Sequence, residues 1–326
     1  MVAGGIVAAI SFGGSTDRSA ARAAVATGPA QAFQEAFVLV VKTVSPSVVQ
    51  IENSTGLGSG VVFDTAGNIV TNAHVVSTAK TFTVTTSNGK RYSAKLVGSF
   101  PPDDLAVVKV SGAALKPAVF ADSSKLQVGD IALAIGNPLG LRSSVTEGIV
   151  SAIRGAVSEG NGNTLPSVVQ TSAAINPGNS GGALVDLDGR VIGVPTLAAT
   201  DPQLGGSAPG IGFAIPSNLV RDIAGQLVKY GKVVDSHRAY LGIRVGETGG
   251  QGVYVGEVTP GGPAAKAGIH SGDVIVSVAG KPTPTTDVLS AVLATLKPGK
   301  TVRVVVRHQN GKRTTLEVTL GTYPGS

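Results

Sequence analysis

The 326-residue sequence contains no cysteine, which removes disulfide frameworks and thiolate metal sites from consideration. Its four histidines are scattered, without the spacing of a ligand set, so neither a metal nor another cofactor is expected. Charge is sparse, at 14% of residues, and aromatics are sparser, at 4%. The net charge of +6 comes from dispersed basic residues with no aromatic-rich basic stretch beside them, so nucleic acid is not an expected partner. Long hydrophobic runs are missing too. The apolar stretch at residues 2–14, VAGGIVAAISFGG, is shorter than the ~18 residues of a spanning helix, and no basic segment precedes it. Residues 1–30 therefore read as a minimal membrane anchor or signal remnant followed by an Ala- and Arg-rich linker.

What the sequence does contain is 45 glycines and 18 prolines among 42% hydrophobic residues, a mixture suited to many short strands joined by tight turns. A mainly β protein follows, and the length suits two or three folding units. A helical pattern over residues 33–44 meets Pro46, after which VVQI at 48–51, SGVVF at 59–63, NIVT at 68–71 and ALAIG at 132–136 read as strands of a barrel or sandwich. Ser217 is placed to cap a helix whose stripe is Leu219, Val220, Ile223, Leu227 and Val228, with Gly231 as its stop. Residues 31–232 form one unit on this reading. A second, at 239–321, reads strand, strand, short helix, strand, longer helix, strand, strand.

The strongest local signal is NPGNSGG at 176–182, where Ser180 is enclosed by residues that tolerate unusual backbone angles. Such a turn can offer a hydroxyl together with backbone amides for a developing oxyanion, here Gly178 and Ser180 with Asn179 between them. Serine needs a base to take its proton, and His74 in TNAHVV supplies one. The imidazole needs a carboxylate, and DDLAVV supplies Asp104 beside an apolar strand, preferred over Asp103. Each residue alone has an ordinary structural reading as turn or cap, but their joint occurrence in the order His, Asp, Ser points to a nucleophilic triad. The same GNSGG also satisfies the nucleophile-elbow pattern, with Asp222 and His237 following in elbow order. An elbow must lead into a helix, whereas ALVDLDGRVIGV at 183–194 reads as two strands around an Asp-Gly turn.

TNAHVV, DDLAVVKV and AAINPGNSGGALVDLDGRVIGV through GIGFAIPSN resemble the HtrA (Deg) family of serine proteases, over about residues 35–320. The resemblance implies a chymotrypsin-like double β-barrel followed by an α+β PDZ domain, with His74, Asp104 and Ser180 in the cleft between barrels. It also implies that Ile175, Thr196, Leu197 and Ala198 border a pocket for small or medium aliphatic residues. Val194-Pro195 departs from the family's usual Ile-Asn step, and proline removes an amide from that strand. The segment from YLGI at 240–243 through VTPGGPAAKAG and SGDVI resembles a protease-linked PDZ domain. Tyr240, Leu241, Gly242 and Ile243 would then receive a peptide C-terminus, with Val288, Leu289 and Val292 shaping the side-chain pocket. The family further implies unfolded protein and peptide substrates, an extracytoplasmic location, a homotrimer and no cofactor. A peptide-binding holdase with weak proteolysis is the alternative.

Overall fold

In the computed structural model the described residues are 28–54, 56–137, 144–158, 164–176, 178–201 and 206–325, with side chains excluded at 197–201 and 206–209. Residues 2–14, expected as an anchor, lie outside them. Among the described residues no helix is long and apolar enough to cross a membrane.

Helix α1 (Pro29–Val44) ends in a 3-10 turn at Ser45–Ser47, where Pro46 cannot continue the ladder. Six strands then close a barrel: β1 (Val48–Glu52), β2 (Leu57–Val62), β3 (Asn68–Thr71), β4 (Thr81–Thr85), β5 (Arg91–Phe100) and β6 (Leu105–Val110). Their order is β1-β2-β3-β6-β5-β4, and β1 pairs with both β2 and β4, so no edge is left open. Alternate side chains turn inward, and Val49, Ile51, Val62, Ile69, Val84 and Val108 fill the interior. A single helical turn, α2 (Ala73–Val76), leaves the end of β3.

A second closed barrel uses β7 (Ile131–Gly136) and β8 (Ser144–Arg154), then β11 (Val168–Thr171), β12 (Ala183–Val185), β13 (Val191–Asp201) and β14 (Gly206–Pro216). Its order is β11-β14-β13-β12-β7-β8, and a two-stranded hairpin, β9 (Val157–Ser158) with β10 (Thr164–Leu165), projects between β8 and β11. The expected Asp-Gly turn joins β12 to β13, with Asp186 accepting from the Asp188 and Arg190 amides. Ser180 leads into strand β12 and not into a helix, which removes the elbow reading and with it the roles of Asp222 and His237 as acid and base.

Helix α3 (Ser217–Tyr230) covers the junction of the barrels. Val220, Ile223 and Leu227 pack with Val70, Phe100 and Leu105 of the first barrel and Val194 and Ile215 of the second. Fully burying Ile223 and Leu227 contributes roughly 1.5–3 kcal/mol each. Ser217 does not cap this helix as expected. Its hydroxyl donates to the Ala121 carbonyl at 2.9 Å and Pro216 holds the cap position, while Gly231 ends the helix with φ 70°.

The last region contains β15 (Ala239–Tyr240), β16 (Ile243–Glu247), β17 (Val253–Val258), α4 (Pro263–Ala267), β18 (Val274–Val278), β19 (Lys281–Pro282), α5 (Thr286–Ala294), β20 (Thr301–Arg307), β21 (Arg313–Thr319) and β22 (Gly321–Thr322). Its own core includes Val253, Val255, Ile275, Val304, Val306 and Val318. The order β16-β17-β18-β20-β21 leaves β16 at an edge with α5 beside it. Helix α5 also packs against the β9–β10 hairpin. Beside that contact, Arg238 donates to the Asp103 carboxylate at 2.6 Å and to the carbonyls of Pro102 and Thr164.

Candidate active site

The chain delivers His74 on the one-turn helix α2, immediately after β3. That turn is secured by the Asp104 backbone, whose carbonyl accepts from the Ala73 amide at 3.1 Å and from Asn72 Nδ2 at 3.0 Å. Asp104 has φ 49° and ψ 41°, a left-handed conformation that aspartate tolerates better than most residues. From there its buried carboxylate takes the His74 amide on Oδ1 at 3.0 Å and lies 3.1 and 2.9 Å from His74 Nδ1 through its two oxygens. The Thr196 hydroxyl donates to the same carboxylate. An ionised carboxylate can only accept, so the proton of a neutral His74 belongs on Nδ1 and the lone pair on Nε2. The imidazole is about half exposed, and Asp104 is nearly covered.

Asp103, one residue earlier, points elsewhere. Its side chain is fully buried against Arg238, and burial raises its carboxyl above the ordinary value although Arg238 acts in the opposite direction. The two neighbouring aspartates therefore do different work.

Ser180 sits in a turn whose peptide groups are almost all spent. The Asn179 amide donates to the Asn176 carbonyl at 3.0 Å, Gly181 N–H to Pro195 O at 3.0 Å, and Gly182 N–H to Asn179 O at 2.9 Å. The Gly178 carbonyl accepts from Ser59 Oγ, and the Ser180 carbonyl from the Ser59 amide. Among the described residues, of the amides from Gly178 to Gly182 only those of Gly178 and Ser180 have no acceptor. Asn179, expected beside them as a donor, is corrected by its bond to Asn176. The turn also demands glycine at 181, where φ is 79° and a Cβ would lie 2.2 Å from the Ser59 carbonyl oxygen.

Thr196 connects the parts. Its hydroxyl reaches Asp104, and its carbonyl accepts the Ser180 hydroxyl at 3.2 Å. It was expected at the rim of a substrate pocket, but its side chain is buried and directed at the carboxylate. Of the other pocket candidates, Ile175 is buried, and Leu197 and Ala198 lie on β13 with side chains outside the described residues. Pro195 lies where β13 has run past β12, so the strand edge there meets Gly181 of the turn. A cavity of about 540 Å³ lined by Asp122, Lys125, Asp130, Asp186 and Arg190 contains none of these residues.

In the last region, Tyr240 and Leu241 precede Gly242, with φ 76°, and Ile243 opens the edge strand β16. Across from it on α5, Val288 is exposed, whereas Leu289 and Val292 are buried in the core. Nothing in the sequence points to Ser59 or to the hydroxyl role of Thr196. Ser59 lies between two glycines and reads only as the first residue of a strand.

A trypsin-like peptidase domain model matches residues 58–194, and a PDZ domain model matches residues 239–320. The chain is 38% identical over 314 residues to the serine endoprotease DegS of Escherichia coli K12, covering 88% of this chain and 86% of DegS. It is 41% identical over 286 residues to the periplasmic pH-dependent serine endoprotease DegQ of the same organism, covering 83% of this chain. It spans 60% of the length of DegQ and 58% of that of the Salmonella typhimurium periplasmic serine endoprotease DegP. Among solved structures, the HtrA-type protease AlgW with a decapeptide matches at TM-score 0.62 and 31% identity, covering 88% of this chain and 99% of that one. A serine endoprotease from Yersinia pestis matches at 0.60 and 36% identity, covering 88% and 98%.

Proposed function

Because the chain belongs to the HtrA family of serine endoproteases, with a trypsin-like peptidase domain and one PDZ domain, we propose that it cleaves unfolded or misfolded proteins of the cell envelope through an acyl-enzyme on Ser180. One observation carries this reading: a doubly contacted His74–Asp104 pair, joined through Thr196 to a serine whose turn has two unspent amides. His74 Nε2 takes the Ser180 proton as Oγ attacks the scissile carbonyl, and Asp104 stabilises the resulting imidazolium. The Gly178 and Ser180 amides meet the oxyanion, and removal of a single such donor typically costs about 10²–10³ in kcat. His74 then protonates the leaving amine, and water repeats the sequence on the ester. No step calls for a metal or organic cofactor.

The site residues are thus assigned as nucleophile Ser180, base and acid His74, orienting carboxylate Asp104, and oxyanion donors Gly178 and Ser180. Ile175, with Leu197 and Ala198, is assigned to the first substrate pocket. The PDZ domain receives peptide C-termini at 240–243, adding an extended strand to the open edge of β16 beside α5. AlgW was solved with peptides, which supports this mode. The names of DegQ and DegP support an extracytoplasmic location. A homotrimer, and anchoring through residues 2–14, complete the proposal by family likeness. The holdase alternative is disfavoured because a client-binding protein has no need of the Asp104–His74 alignment.

The test compares the chain with Ser180→Ala on unfolded casein, with and without a peptide ending in an apolar residue. Fragments from the parent alone support a Ser180 endopeptidase, and a faster parent with peptide supports control by the PDZ domain. Equal cleavage by both proteins refutes the assignment of the nucleophile.

A further inference from the structure

We infer that Ser59 is a positioning residue for the oxyanion pocket, a part that rests on the assignment of the Gly178 and Ser180 amides as its donors. Ser59 lies on β2 of the first barrel and is fully buried. Every polar atom it owns is committed. Its hydroxyl donates to the Gly178 carbonyl at 2.5 Å and accepts from the Asn137 amide at 2.8 Å. Its own amide donates to the Ser180 carbonyl at 2.9 Å, and its carbonyl accepts the Thr71 hydroxyl at 2.7 Å.

These four bonds meet at the seam between barrels. Thr71 ends the strand that leads to His74, Asn137 follows β7 of the second barrel, and Gly178 and Ser180 flank the middle of the nucleophile turn. Ser59 therefore ties the base-bearing strand to the nucleophile turn and the second barrel, its backbone bonding Thr71 and Ser180 and its hydroxyl bonding Gly178 and Asn137.

Gly178 needs such a tie. Its φ of 105° is open to glycine and poor for other residues, and a glycine has no Cβ to restrict rotation of its flanking peptides. The direction of its N–H is consequently set by whatever holds the neighbouring groups. On the C-terminal side those holds are the Ser59 bond to Gly178 O and the Asn176 bond to the Asn179 amide. Without the hydroxyl, a buried carbonyl and the Asn137 amide both lose their partner, and rotation that repairs either one carries the Gly178 donor out of line. The loss falls on the charged tetrahedral state, because the ground-state carbonyl of substrate needs those donors much less.

The experiment measures peptide cleavage at saturating substrate and affinity for a peptidyl boronate, whose tetrahedral adduct on Ser180 occupies the oxyanion position. Ser59→Ala should lower kcat about 10- to 100-fold, less than the roughly 10²–10³ of losing one oxyanion donor outright because the donor is misaligned and not removed, leave KM within about threefold, and weaken the boronate in proportion to kcat. Ser59→Thr retains the hydroxyl and should exceed Ser59→Cys, a weak donor, in kcat and in boronate affinity. A wild-type kcat in Ser59→Ala refutes the inference, as does a fall in kcat with unchanged boronate affinity. Should the alanine variant not fold, equal kcat in the threonine and cysteine variants refutes it. Failure here is distinguishable from failure of the catalytic assignment, since Ser180→Ala would then be inactive while Ser59→Ala is normal.

Discussion

Replacing Arg238 with methionine removes the guanidinium that pairs with Asp103, a carboxylate with no exposed side-chain surface. Arg238 donates three hydrogen bonds, at 2.6 Å to Asp103 Oδ1, 2.9 Å to Pro102 O and 2.7 Å to Thr164 O. Among the described residues, the other Asp103 oxygen is buried without a partner, so little else compensates the charge. Breaking a buried pair by removing one member typically costs about 3–5 kcal/mol, because the remaining charge is stranded. Arg238→Met should lose that amount at neutral pH, and adding Asp103→Asn should restore about half or more of it. The pH dependence follows from direction. The folded-state carboxyl titrates above its ordinary value of 3.8, so the folded state holds its proton longer than the unfolded chain, and stability falls as pH rises from 3.8 through the folded value. Without the lowering influence of Arg238 the folded value moves higher still, so the deficit of Arg238→Met should shrink on acidification from neutrality. The chain has no tryptophan, so urea unfolding is followed by circular dichroism. A loss below about 1 kcal/mol at neutral pH, or no recovery in the double variant, refutes the account by contradicting a stranded buried charge.

Gly181→Ala forces a Cβ to within 2.2 Å of Ser59 O at φ 79°, and should abolish casein cleavage while lowering the thermal midpoint. Thr196→Val removes the hydroxyl that reaches Asp104 but keeps the carbonyl that holds Ser180. It should reduce kcat about tenfold, since a charge-assisted hydrogen bond contributes about 1.5–3 kcal/mol, with KM nearly unchanged, as read from initial rates on a peptide substrate. Ile275→Ala empties a fully buried core position in the PDZ domain and should cost about 2–5 kcal/mol in the urea transition of that domain.

Much of this was legible because it is local. NIVT becomes β3, ALAIG most of β7, and the glycine after the α3 stripe becomes a left-handed stop. Asp104 was separable from Asp103 by its place beside an apolar strand. The partner of Asp103 was not, since Arg238 lies 135 positions away and only the folding of the last region against the first barrel and the β9–β10 hairpin brings it near. Thr196 was misread for a related reason. Strand alternation gives the inward or outward sense of a side chain, but that its hydroxyl meets Asp104 follows from how two separately closed barrels abut. Ser217 looked like a cap because the pattern before an apolar stripe is a capping pattern, yet the Ala121 carbonyl competed for its hydroxyl and won.

The seam between barrels has a consequence for the life of the chain before it is finished. Synthesis produces the proposed base and its orienting carboxylate first, at 74 and 104, and the proposed nucleophile only at 180, on a turn pinned by Ser59 from the opposite barrel. A growing chain holding the first barrel alone has no nucleophile. A complete but unfolded chain has every reactive group and no alignment among them. On the proposed mechanism, cutting ability therefore arrives with the closing of the second barrel onto the first, at the stage when the strands of the two barrels have ceased to be extended segments that a protease could take. The barrels that would build the cutting site are thereby out of its reach by the time it exists.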